Sequence, residues 1–208
     1  MKLVTFNNGV IIPTLAFAHY WAGDKMVYDF SAEGVPTPLK LAIQFLFCAL
    51  CDDLAFYFSH RTLHTPWLYQ HVHKIHHKHI NTVFYASAYA HPLEFVFGNV
   101  LPTVVGPLLL GKRIHFTTVI AWFFFRNIEA IEGHCGYEFP WSPFRWVPFQ
   151  TPYGYHSYHH SSNVGNYSSF FHIWDSIMGT NKVYFQALKD FERDFKKESA
   201  APEKGSKV

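Results

Sequence analysis

The apolar positions of this chain fall into long runs, not short alternations, and the runs are separated by polar stretches crowded with histidine. A helix that crosses a bilayer needs about 20 mostly apolar residues. Three windows come near that length. Residues 39–58 are apolar apart from Lys40, Gln44, Asp52 and Asp53. Residues 93–110 carry Pro102 and Pro107, which predicts a kinked or re-entrant segment. Residues 114–131 hold Ala121-Trp122-Phe123-Phe124-Phe125 before meeting Arg126 and Glu129. A fourth, weaker window, 3–21, is broken by Asn7, Asn8, Gly9 and Pro13. The pattern predicts an all-α integral-membrane helical bundle of three to four membrane segments, with a histidine-rich polar cap on one side. It divides into an N-terminal segment over 1–37, a membrane domain over 38–186 and a charged, partly disordered tail over 187–208. Within 182–197, Phe185, Leu188, Phe191 and Phe195 fall on one side of a short amphipathic helix.

Composition supports a chain partly bathed in lipid. Hydrophobic residues make up 49% and charged residues 15%, against about 25% charged in soluble domains. The net charge of +2 is too small to argue for nucleic acid. Three cysteines indicate no disulfide framework. Cys48 and Cys51 lie in an apolar run and read as small buried side chains, not as a redox pair or zinc knuckle. The N-terminus lacks the basic-then-apolar order of a cleavable signal peptide.

The chemistry lies in the histidines. His60 and His64 form an HxxxH; His73, His76 and His77 form an HxxHH; His156, His159 and His160 form a second HxxHH; His134 stands alone. Residues i, i+3 and i+4 share one helix face, so each box is expected to aim at one point. Nine candidate ligands exceed the roughly four that a single ion takes from protein and point to a dinuclear centre. Imidazole suits Zn, Cu, Fe and Ni. Structural zinc usually recruits cysteine, which the boxes lack, and a zinc hydrolase would carry the HExxH glutamate. Two nitrogen-ligated metals beside lipid suit O2 activation by iron, with zinc a possible substitute in a purified sample. Neutral ligands leave metal charge uncompensated, so carboxylates are expected nearby. Asp53 shares a face with His60 and His64 and is expected to accept a ligand N–H. Glu129 and Glu132, near His134, are candidates for the same task. His91 stands between that role and a loop role. His19, His71, His79, His115 and His172 read as polar surface. Phe56, Tyr57, Phe58 and Phe123 to Phe125 are candidates for an apolar substrate wall, beside the commoner reading of lipid-facing or packing aromatics.

The order HxxxH, HxxHH, distant HxxHH resembles the fatty acid hydroxylase/sterol desaturase superfamily. Tyr89-Ala90-His91-Pro92-Leu93-Glu94, the stretch from His134 to Pro143, and Gly165-Asn166-Tyr167-Ser168-Ser169-Phe170-Phe171 followed by Trp174-Asp175 and Gly179-Thr180 are similar to the 4-methylsterol monooxygenase branch. The likeness runs from about Pro38 to Phe185. It implies that the nine histidines hold two iron ions and that electrons come from NAD(P)H through cytochrome b5 and its reductase. It further implies oxidation of a sterol 4-methyl group in the endoplasmic reticulum membrane. Some relatives carry a further histidine four residues before the position of His134, where this chain has Ala130. Relatives usually carry more membrane helices before the first box, whereas 37 residues precede Pro38 here. Alternatives are another sterol or fatty acyl hydroxylase or desaturase, or a non-catalytic accessory subunit of a larger membrane complex.

Overall fold

The computed structural model describes residues 1–22, 27–80, 82–152 and 154–200, with the side chains of 19–22, 198 and 200 excepted. His19 thus lies outside the described side chains. The described residues form helices, turns and two isolated bridges, Asp29 with His115 and Gln150 with Phe171. The chain begins with α1 (Lys2–Phe6) and α2 (Ile12–Ala22), joined by a π-helical turn over Asn7–Ile11. The fully buried Asn7 donates from Nδ2 to the carbonyls of Ala88 and Ala90 at 3.0 and 2.9 Å, pinning this helix to the loop that leads into His91.

Thr37 caps α3 (Pro38–Leu63), its hydroxyl accepting the Lys40 N–H at 3.3 Å. Pro38 occupies the first turn, where a missing N–H costs nothing. The short α4 (Pro66–His71) follows. Next, α5 (Pro92–Glu94) and α6 (Leu101–Leu110) are linked by a π-helical segment, Phe95–Val100, just ahead of Pro102. Proline cannot donate to the carbonyl four residues back, which loosens the helix at this point. Helices α3 and α6 cross at Gly106, where a Cβ would lie 2.7 Å from the Cα of Cys48. Small residues at such a crossing let two membrane helices approach closely. Cys48 is buried and unpaired there, as its apolar surroundings predicted.

Two helices among the described residues are long and apolar enough to cross a membrane, Pro38–Leu63 and Pro92–Arg113. Only 39% and 33% of their apolar windows are buried, the reverse of a soluble core helix. On α3, Leu39, Ile43, Leu46, Leu50, Leu54 and Phe58 form one exposed apolar stripe. The count is thus two where the pattern predicted three to four. The other two windows are helical but interrupted by polar residues. In α7 (Phe116–His134) these are Arg126, Asn127 and Glu129. His115 caps α7, accepting the Thr117 N–H at 3.2 Å, and is buried, not surface as its isolation suggested. The main apolar core joins Cys48 and Ala49 of α3, Val119 and Trp122 of α7, and Phe144, Phe170 and Phe171 from the later loops.

The C-terminal third holds α8 (Tyr155–Ser162), α9 (Ile173–Met178) and α10 (Lys182–Ala200). Of the tail expected over 187–208, residues 187–200 belong to α10 and 201–208 lie outside the described residues. Helix α10 starts against α8, with the Tyr184 ring 5.0 Å from Tyr155 and 5.4 Å from Tyr158, while Leu188, Phe191 and Phe195 stay exposed.

Candidate metal centre

Four elements carry the nine box histidines. The C-terminal end of α3 presents His60 and His64, and the end of α7 presents His134. The second box folds as a 3-10 helix, His73–Lys78, and the third as α8. Their ring nitrogens converge in two groups. One contains His60, His64, His73, His77 and His159, the other His76, His134, His156 and His160, and within each group the ligand atoms lie within 4.8 Å of one another. Each HxxHH box is thus divided between two centres, where its spacing had suggested one point. On α8, at about 100° per residue, His159 and His160 fall on either side of the direction of His156. Adjacent His159 and His160 then diverge by about 100°, and on the 3-10 helix of the second box His76 and His77 diverge by about 120°.

The hydrogen bonds fix which nitrogens face inward. The Nδ1 of His60 lies 2.9 Å from the carbonyl of Tyr167, that of His134 2.7 Å from Ala130, that of His159 2.6 Å from Gly165, and that of His76 3.4 Å from Tyr89. A carbonyl has no proton to give, so each Nδ1 is the donor and each Nε2 is left with a bare lone pair. His73 donates its Nδ1–H to the buried Glu94 carboxylate at 2.8 Å. The bare Nε2 atoms of His76 and His134 face each other at 3.5 Å, with no proton to share between them. Convergent lone pairs in a buried space repel unless a cation lies among them. Burial and the neighbouring imidazoles push His73, His76, His156 and His159 well below the ordinary histidine range, and His77 down to about 3. The ligand set is therefore neutral and ready for metal at physiological pH.

The spacing tests what geometry fits. Nε2 atoms approach at 3.2 Å (His64, His159) and 3.0 Å (His64, His73 and His73, His77) in the first group, and at 2.8 Å (His134, His156) and 3.1 Å (His156, His160) in the second. With metal–nitrogen bonds of about 2.1 Å, ligands at right angles stand about 3.0 Å apart and tetrahedral ones about 3.4 Å apart. Most of these edges match right angles, the His76–His134 edge of 3.5 Å being wider, and five donors exceed a tetrahedral zinc site. The residues fit two ions of higher coordination number.

The expected outer carboxylates sit elsewhere. Asp53 is fully buried on the predicted face, but its Oδ1 accepts the backbone N–H groups of Phe170 and Phe171 at 2.9 and 3.1 Å, not a ligand N–H. The loop after the third box descends along α3 and brings those amides to it first. Glu129 accepts from Arg126 at 2.6 Å, and Arg126 also donates to Asp52 at 2.9 Å and to Ser169 at 2.9 Å. Glu132 accepts from Ser142 at 2.8 Å. Among the described residues, neither glutamate hydrogen-bonds a box histidine. His91 caps α5, accepting the Leu93 N–H, which is the loop role. Two carboxylates in support of the site were not singled out from sequence. Glu94 is one. The other, Asp175, is fully buried and accepts from the amides of Tyr167 and Ser168 and the hydroxyls of Tyr155 and Thr180. It thereby shapes the loop whose carbonyls orient His60 and His159.

A family model, fatty acid hydroxylase, matches residues 45–180, a span that contains every box histidine and both helix ends that carry them. This chain belongs to the fatty acid hydroxylase family. The very-long-chain aldehyde decarbonylase GL1-11 of Oryza sativa subsp. japonica is 36% identical over 94% of this chain and 73% of its own length. GL1-8 of the same plant is 43% identical over 72% of this chain and 57% of its own length. Methylsterol monooxygenase 2-1 of Arabidopsis thaliana is 40% identical over 77% of this chain and 64% of its own length. No solved structure matches.

In this family member a cleft with about 880 Å³ of empty volume, part of it open to solvent, reaches the histidines between α3, α7 and α8. Of the aromatic wall candidates only Phe56 lines it. Tyr57 is fully buried with its hydroxyl 3.1 Å from Thr180, Phe58 and Phe124 are exposed, and Phe123 and Phe125 pack on the core. Polar residues line it too, Arg126, Glu129, Glu132 and Arg145, and the Arg126 guanidinium lies over the Phe56 ring, 5.6 Å from its centre.

Proposed function

We propose that this chain is an O2-dependent di-iron oxygenase that oxidises the 4-methyl group of a sterol in a cell membrane, with the endoplasmic reticulum as its site. The observation that carries the metal reading is the convergence of nine imidazoles, seven of them buried, into two groups, with five of them held by Nδ1 so that a bare Nε2 is left for a metal. The sterol reading is supported by methylsterol monooxygenases from Arabidopsis and Dictyostelium at 34–41% identity. His60, His64, His73, His77 and His159 would hold one ion, and His76, His134, His156 and His160 the other. Iron bound there supplies reductive O2 activation, one oxygen atom entering the methyl C–H bond and the other leaving as water as two electrons and two protons are consumed. The chain's own residues do the rest. Glu94 and the carbonyls of Ala130, Gly165 and Tyr167 orient the imidazoles. Phe56 and Leu63 offer an apolar surface to the lipid, and the Arg126 and Glu129 wall offers a polar one to an oxygenated end. Electrons from NAD(P)H would arrive through cytochrome b5 and its reductase.

The aldehyde decarbonylases favour a second reading, in which a very-long-chain aldehyde occupies the same cleft. Expression in a host lacking its own 4-methylsterol oxidase decides between them, with sterols and alkanes profiled by mass spectrometry beside a His156→Ala, His159→Ala control. Loss of accumulated 4-methylsterols with the wild-type chain alone supports the proposal. Alkane formation with sterols unchanged supports the second reading. No change in either, with protein in the membrane, favours a partner-dependent subunit.

A further inference from the structure

The loop that follows α7 turns back along it. Phe144 joins the apolar core with its ring centre 4.9 Å from that of Phe125, and Val147 packs against the same core. Phe125 precedes His134 by about two and a half turns of α7, so this contact lies about 13 Å along the helix from the metal centre. The partner segment agrees with that depth. Phe170 and Phe171 bond to Asp53, about two turns before His60 on α3, and the loop pairs with them through Thr151 N–H to Phe170 at 3.0 Å and His172 N–H to Phe149 at 3.1 Å. Over this stretch the helices show apolar faces, Ile120, Phe124, Ile128 and Ile131 on α7 and Leu50, Leu54 and Phe58 on α3. The loop nevertheless leaves large rings uncovered, Tyr137, Trp141, Trp146 and Phe149 being 65–79% exposed. Phe149 stands at φ +63°, in the left-handed region that favours glycine. A ring so exposed repays little of that strain by packing within the chain.

We infer that the loop from Tyr137 to Phe149 is seated in the boundary layer of a lipid bilayer, with its exposed rings among the headgroups and upper acyl chains. Tryptophan and tyrosine suit that layer, because each joins a broad apolar ring to a polar N–H or O–H. The loop's charge suits it as well. Between Phe139 and Pro152 the sequence holds one charged residue, Arg145. Arg145 donates to the Glu138 carboxylate and, at 3.2 Å, to the Thr151 carbonyl, so the loop takes no unanswered charge into an apolar medium. The exposed rings of α10 differ in this respect, standing among Asp190, Arg193, Asp194 and Lys197, which pair with one another as on a solvated face. The same loop and its exit give Phe144, Arg145, Gln150, Thr151 and Pro152 to the lining of the cleft. One wall of the cleft is then carried by a lipid-seated segment, whichever ligand the cleft takes.

The test uses the full chain in phosphatidylcholine nanodiscs and reads tryptophan emission against two quenchers. Acyl chains brominated near the headgroup quench from the lipid, and iodide quenches from water. Trp146→Phe and Trp141→Phe are each expected to lower the share of emission quenched by brominated lipid, the double substitution lowering it furthest, with iodide quenching unchanged. Loss of iodide quenching with lipid quenching intact places the loop in water and overturns the inference. Loss of neither means that protein covers the loop, a second copy of the chain included, and overturns it equally. If the tryptophan variants are not recovered in nanodiscs, Phe149→Trp adds a reporter in their place. It is expected to raise the lipid-quenched share, and a rise in iodide quenching alone, or in neither, overturns the inference.

Discussion

Asp175 offers the sharpest check on how the site is held. Its two carboxylate oxygens accept four hydrogen bonds, from the Tyr167 amide at 3.0 Å, the Ser168 amide at 2.8 Å, the Tyr155 hydroxyl at 2.9 Å and the Thr180 hydroxyl at 2.5 Å. Each buried donor left without a partner costs about 1–3 kcal/mol. Asp175→Asn keeps one acceptor oxygen and turns an amide NH2 toward two of the donors. With partial relaxation the loss should be about 2 kcal/mol, or about 4–8 °C in the unfolding midpoint of a chain this size. Asp175→Ala removes all four acceptor contacts and should cost about 3–5 kcal/mol. The loop carbonyls of Gly165 and Tyr167 orient His159 and His60, both in the five-histidine group. Metal at that position should therefore be lost first. Thermal unfolding in detergent, with and without chelator, and iron counting by mass spectrometry measure both effects. An Asp175→Asn chain with an unshifted midpoint and two irons would refute the claim that this carboxylate shapes the site.

Three further perturbations follow the same logic. Glu94→Gln removes the one anionic acceptor among the hydrogen bonds of the box histidines, and chelator competition should show metal affinity reduced about 10–100-fold; unchanged affinity would mean that the carboxylate is incidental. Arg126→Met leaves Asp52 and Glu129 as unpaired buried carboxylates and should cost about 3–5 kcal/mol, recovered in part by adding Asp52→Asn and Glu129→Gln; a midpoint unmoved by Arg126→Met would sink the idea. Asp53→Asn retains an oxygen for the amides of Phe170 and Phe171, so metal content should be unchanged. Metal loss in that variant would restore Asp53 as a ligand support.

Much of the site was legible in the sequence because metal ligation uses one residue type at helical spacings. All nine box histidines come together, and the fold is helical as the apolar runs predicted. What the boxes did not disclose is their division. His73, His76 and His77 are close in sequence, but neighbouring side chains on a 3-10 turn point about 120° apart, so the adjacent His76 and His77 go to different centres. The supporting carboxylates were misread for a related reason. Asp53 was judged by its own helix face, yet its partners come from 117 and 118 residues away, a contact that no local pattern encodes. The signal for Glu94 and Asp175 was present in the stretches that carried the family resemblance. Tyr89, Gly165 and Tyr167 supply carbonyls, and Glu94 and Asp175 supply carboxylates, all within those stretches.

Relatives named for two different reactions match this chain at similar identity, and the geometry explains how both can. Four of the nine imidazoles are oriented by main-chain carbonyls, which a change of side chain in the cleft does not remove, and His73 by the Glu94 carboxylate. The reaction must then be chosen by the cleft wall. In this chain that wall sets the apolar Phe56 and Leu63 beside Arg126 and Glu129, with Arg126 over the Phe56 ring. Arg126 is itself tied to Asp52 on α3 and Ser169 on the loop after the third box, so the polar wall is rigid and spans the elements that carry the histidines. A lipid placed against it meets a fixed cationic group backed by carboxylates, which favours a hydroxyl or carbonyl end over a bare hydrocarbon end. Substitutions that separate a sterol oxidase from an aldehyde-processing enzyme should therefore fall at the wall positions around Phe56, Leu63, Arg126 and Ala130, with the nine histidines unchanged.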